Sequence, residues 1–114
     1  MEPMATPSEM PPAARVPLLG LAGYQEGAVV SRILLKRAGG TITLFAFDAG
    51  QALSEHTAPF DALVHVLEGD ADITVAGVPL RVSAGESVLM PANQPHAIQA
   101  PTRFKMLLTM IRAV

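Results

Sequence analysis

Residues 60–90 read FDALVHVLEGDADITVAGVPLRVSAGESVLM, short apolar runs cut by Gly69, Gly77 and the Ala84-Gly85 pair. Within Asp70–Val75, the apolar Ala71, Ile73 and Val75 alternate with Asp70, Asp72 and Thr74. That period of two belongs to a strand with one face in a core and the other in water. The same pattern extends in both directions. Runs rich in Val, Ile, Leu, Thr and Phe occupy Val29–Lys36, Thr41–Phe47, Ala62–Leu67, Ala71–Val75, Leu80–Val82, Ser87–Met90, His96–Ile98 and Arg103–Ile111. Turn-forming residues separate them at Gly39-Gly40, Ala49-Gly50 and Pro91–Pro95 as well. Such residues suit pleated, half-buried strands, and no stretch carries a helical period. The reading is therefore all-β, a closed barrel or jelly roll of antiparallel strands.

Two runs depart from simple alternation. Ala62–Leu67 and Phe104–Ile111 are apolar on both faces, so their outward sides need a cover. The expected cover is a second copy of the chain, making a homodimer. The alternative is a helix or strand of the same chain.

The 114 residues suffice for one core. Residues 1–17 hold five of the ten prolines, at Pro3, Pro7, Pro11, Pro12 and Pro17. Residues 1–14 are accordingly expected to be a disordered tail, with 15–114 forming a single barrel domain. Leu18–Gly27, interrupted by three glycines, reads as either a short helical turn or an edge strand. A net charge of −2 offers no cationic surface for a phosphate backbone, so no nucleic-acid partner is expected. No apolar run is long enough to span a bilayer and residues 1–16 lack the marks of a secretory signal. The expectation is a cytoplasmic protein without a membrane partner.

Cysteine is absent, which leaves His56, His65 and His96 and the carboxylates as the strong metal-ligating groups. Met90, Met106 and Met110 read either as a soft-ligand cluster or as gap-filling core residues, and their apolar strand context favours the core. No Gly-x-Ser-x-Gly elbow or Lys-bearing phosphate loop occurs. Catalytic residues are not identified from the sequence.

Gly50, Gly69 and Gly85 stand where strands must turn sharply, and Pro91 and Pro95 around Asn93 stiffen the turn before His96. These residues carry a family resemblance. GQALSEHTAPFDALVHVLEG, from Gly50 to Gly69, resembles the first cupin motif, with Gly50, His56 and Gly69 in register. GESVLMPANQPHAIQA, from Gly85 to Ala100, resembles the second, matching at Gly85, Pro91 and His96. The resemblance covers Val29 to Val114 and implies the cupin double-stranded β-helix. It also implies a divalent transition metal such as Fe, Mn, Ni or Zn, held in the barrel by three histidines and a glutamate. Here Ala58 replaces the second histidine and Ala62 the glutamate, leaving His56 and His96 as an incomplete metal set. The family's inward glutamate position sends Ala62, Val64 and Val66 inward and His65 outward. The pocket then comprises His56, Ala58, Ala62, Val64, His96 and Ile98.

Two functions fit that pocket. In the first, a small-molecule ligand occupies a mostly apolar barrel with the two imidazoles as its polar contacts. The alternative is a metal-dependent enzyme of the dioxygenase or isomerase kind, in which water or substrate completes coordination by His56 and His96.

Overall fold

The structure, a computed structural model, describes residues 9–113. A 3-10 turn, η1 (Leu18–Leu21), precedes nine strands: β1 (Val29–Arg37), β2 (Gly40–Phe47), β3 (Ala52–His56), β4 (Phe60–Glu68), β5 (Asp70–Val75), β6 (Val78–Ser83), β7 (Ser87–Met90), β8 (His96–Gln99) and β9 (Phe104–Arg112). They form two antiparallel sheets, a five-stranded one ordered β1-β2-β9-β4-β7 and a four-stranded one ordered β3-β8-β5-β6. The all-β architecture read from the sequence is the observed one. Among the described residues no helix is long and apolar enough to cross a membrane.

β1–β2 and β5–β6 are hairpins within a sheet, whereas every other connection passes from one sheet to the other. Gly50, Gly69 and Gly85 sit at three of those passages with φ of 86°, 77° and 89°. At Gly69 a Cβ would lie 2.1 Å from the carbonyl oxygen of Arg103. Two strand ends cross there at a separation only a hydrogen permits. Asn93, in the Pro91–Pro95 turn, takes φ of 66° and donates its N–H to the Ala58 carbonyl at 2.8 Å. This ties the loop before β8 to the loop after β3.

The main core lies between the sheets. Phe47 and Phe104 stack at 4.5 Å between ring centroids, and Val64, Val66, Ile73 and Met106 are fully buried around them. The inward row of β4 is Ala62, Val64 and Val66, all buried, as the strand's parity requires.

A second core lies on the outer face of the five-stranded sheet, where Leu18, Leu21, Ala22 and Tyr24 pack against Leu34, Leu44, Ala46, Leu67 and Leu107. The ambiguous segment is thus a 3-10 turn that acts as a strap. Tyr24 donates its hydroxyl hydrogen to Glu68 at 2.6 Å, and Lys105 donates from Nζ to the Leu19 carbonyl. The strap covers part of the outward faces of β4 and β9 and stops short of Leu63, Leu89 and Ile111, which are 45, 59 and 61% exposed. The same-chain cover read as the alternative therefore accounts for Leu67 and Leu107 but not for the whole face. Of the segment read as a disordered tail, residues 1–8 lie outside the described residues, while the Met10 amide donates to the Leu34 carbonyl at 3.0 Å.

Candidate functional site

β3 gives no strand signal in the sequence, because Ala52–His56, ALSEH, contains no β-branched or aromatic residue. It is an edge strand, pairing with β8 alone. Its register with β8 shifts between Leu53, opposite Ile98, and His56, opposite His96. Residues three apart on a regular strand point to opposite faces. The bulge inserts the extra residue that brings Leu53 and His56 to the same inward face.

His56 and His96 are thereby cross-strand partners, their rings edge-to-face at 4.4 Å between centroids. His96 is 7% exposed and His56 is exposed at the mouth. Each ring is oriented by the backbone two residues before it. His56 Nδ1 lies 2.8 Å from the Ser54 carbonyl oxygen, and His96 Nδ1 lies 3.1 Å from that of Gln94. A carbonyl oxygen only accepts, so both Nδ1 atoms carry hydrogen. In the neutral rings the lone pairs are then on Nε2, and no hydrogen bond from the described residues occupies either Nε2.

The rings border a cavity of about 50 Å³ at the open end of the barrel. Its floor is Ile98, Ala62 and Met90, and its walls are Leu53, Ala58, Phe60, Leu108 and Met110. Among the described residues, His56 and His96 are the only lining side chains that carry nitrogen or oxygen. Of the residues assigned to the pocket from the sequence, His56, Ala58, Ala62, His96 and Ile98 meet here. Val64 does not line this cavity and is fully buried in the core one inward step along β4. Leu53, Phe60 and Leu108 join the lining with no signal in the sequence, and Met90 and Met110, read there as gap-filling core residues or soft ligands, join it too, because their approach depends on how β3, β4, β7 and β9 are paired.

His65 lies on the outer face, opposite Leu107 and Ser87. Asp61, beside the vacant glutamate position, also turns outward and accepts the Ala92 amide hydrogen at 2.9 Å. It brings no carboxylate to the cavity. Among the described residues no group of three or more His, Cys, Asp or Glu side chains is placed to hold a metal ion. With two imidazoles and no carboxylate, the cavity does not fit the set of three histidines and a glutamate by which the resemblance implies a divalent ion is held.

Larger hollows occur elsewhere. One of about 510 Å³ runs over the outer face of the four-stranded sheet, past Ser54, Glu55, Asp72, Thr74 and Gln99. It is a shallow groove in which Asp72 is already paired with Arg81.

The family model described as Cupin domain matches residues 43–112. A conserved protein of unknown function from Streptococcus pyogenes is 33% identical, with a TM-score of 0.88 over 99% of both chains. A cupin superfamily protein from Desulfitobacterium hafniense is 30% identical, with a TM-score of 0.86 over 92% of this chain and 96% of that one. A cupin 2 conserved barrel domain protein from Leptotrichia buccalis is 41% identical, with a TM-score of 0.80 over 82% of this chain and 46% of that one. No curated protein matches the chain.

Proposed function

We propose, from the premise that the chain belongs to the cupin family, that it binds a small organic molecule in the cavity that His56 and His96 border. One observation carries this reading. Two imidazoles whose Nε2 atoms have no hydrogen-bond partner among the described residues border an otherwise apolar, partly enclosed space, the combination of greasy walls and few polar groups that ligand sites share. At about 50 Å³ the cavity admits a group of only a few heavy atoms. The ligand would place a compact polar head in the cavity against the edges of the two rings, which touch each other, and leave its remainder at the mouth, beside His56.

A fragment screen by ligand-observed NMR tests this. Compounds with an apolar body and one hydrogen-bonding head are expected to bind the full chain, and His56→Ala and His96→Ala are each expected to weaken them on the order of tenfold, about the worth of one buried hydrogen bond. Hits that bind both variants as well as the parent chain would remove the reading.

The metal-dependent enzyme remains the weaker alternative, because the cavity supplies two nitrogen donors and no carboxylate. A second copy of the chain is the proposed cover for Leu63, Leu89 and Ile111. These residues continue the apolar surface beyond the strap and carry no charge for a partner of other chemistry to pair with. A cytoplasmic location is proposed on the sequence expectation alone.

A further inference from the structure

We infer that the same cavity is a site for a soft monovalent metal ion of the Cu(I) class, held by Nε2 of His56 and His96 together with the thioethers of Met90 and Met110. The inference rests on the reading that the cavity the histidines border is the functional pocket, and it names a second occupant for it.

Strand register brings the two methionines to either side of Ala62, and the packing of the two sheets sets that row on the cavity the histidines border. Ala62 on β4 lies opposite Met90 on β7 and, on its other side, opposite Met110 on β9. The three residues form one row across three strands on the inward face. Directly opposed Cβ atoms on neighbouring strands are about 5 Å apart. The methyl of Ala62 thus leaves an open place flanked on both sides by long, flexible thioether side chains. It is the place where the family resemblance puts a carboxylate. Both methionines border the cavity that His56 and His96 border.

The donor groups carried by the side chains that border it are two borderline imidazoles and two soft thioethers. Thioether sulfur selects Cu(I) over Mg²⁺, Mn²⁺ or Fe²⁺, which prefer oxygen. The surroundings agree with a low charge, since no carboxylate lines the cavity to balance a dication and its walls are apolar. A monovalent ion carries less charge to desolvate than a divalent one. The imidazoles are already oriented for coordination, because the Ser54 and Gln94 carbonyls hold their Nδ1–H groups, the outer contact that metal-bound histidines characteristically make. Met106, the third methionine of these strands, is fully buried opposite Val66 and does not border the cavity, so it serves as an internal control. The chain has no cysteine, and no thiol competes for a soft ion.

The experiment titrates the full chain with Ag(I), a redox-inert probe of Cu(I) sites, in chloride-free buffer against a competing chelator. Circular dichroism melts verify that each variant folds. One equivalent is expected to bind, and His56→Ala combined with His96→Ala is expected to abolish it. Met90→Leu combined with Met110→Leu, a volume-conserving change, is expected to weaken binding on the order of tenfold or more, while Met106→Leu leaves it unchanged. Wild-type affinity in the Met90, Met110 double variant, or no Ag(I) bound by the parent chain at micromolar concentration, overturns the inference. Either result leaves organic-ligand binding standing, because that is scored on fragments and on the histidine variants.

Discussion

Gly69 shows how one atom of side chain can decide a passage between sheets. Its φ of 77° is unfavourable for any residue with a Cβ, and the Arg103 carbonyl occupies the space that Cβ would take. Gly69→Ala therefore combines backbone strain with displacement of β9's entry. The expected cost is about 2 kcal/mol or more, the strain alone being of order 1–3 kcal/mol. Urea unfolding checks it: the midpoint should fall without a change in slope. Gly85→Ala is a useful contrast, with φ of 89° but no atom within 4 Å of the added carbon. It should cost less, because only the strain applies. A larger loss at Gly85 than at Gly69 would mean that the close approach to Arg103 is not what fixes the position.

At the scale of elements, the loops that join strands are held by side chains rather than by length. Asp48, just after β2, accepts the Gly27 amide hydrogen at 2.7 Å and the Arg103 Nε hydrogen at 2.8 Å. It thereby ties the approach to β1 to the loop between β8 and β9. The Gly27 amide foremost, and then the Arg103 guanidinium, hold its carboxyl below the ordinary value of 3.8. A carboxylate with a depressed value in the folded state stabilises the fold at pH above its unfolded value and loses that contribution as the pH falls through the folded one. The acid limb of the stability profile, below about pH 4, should therefore flatten in Asp48→Asn, while near neutrality the variant is less stable than the parent. Thermal melts between pH 2 and 7 test this, and parallel acid limbs would refute it. β3 is the other element that a contact rather than a propensity sustains. Its composition gives no strand signal, yet pairing with β8 and one bulge make it the carrier of His56.

For the whole molecule the question is what lies against the outer face of the five-stranded sheet. Leu63 faces Leu89 across β4 and β7, and Ile111 continues the surface on β9. The strap from Leu18 to Tyr24 ends before reaching them. Complete burial of such a side chain is worth on the order of 1.5–3 kcal/mol, and about half of that is still to be gained at each of the three, once in each copy of a dimer. Light scattering at micromolar concentration is expected to give twice the mass of one chain, and Leu63→Lys with Leu89→Lys one chain's mass. A monomeric parent chain would mean that this face stays open to water.

Much of this protein was legible in its residues. Alternation at Asp70–Val75 and the turn residues between runs marked an all-β fold, while the spacing of Gly50, His56, Gly69, Gly85 and His96 carried the cupin resemblance, which implied the inward parity of Ala62, Val64 and Val66. Those features are local, set by side-chain volume and backbone freedom within a few positions. Only the tertiary structure decided that a bulge turns His56 toward His96, that Leu18–Leu21 forms a strap, and that Met90 and Met110 flank Ala62. The physical reason is that register and sheet order bring together residues tens of positions apart, and no local preference encodes which strand lies beside which.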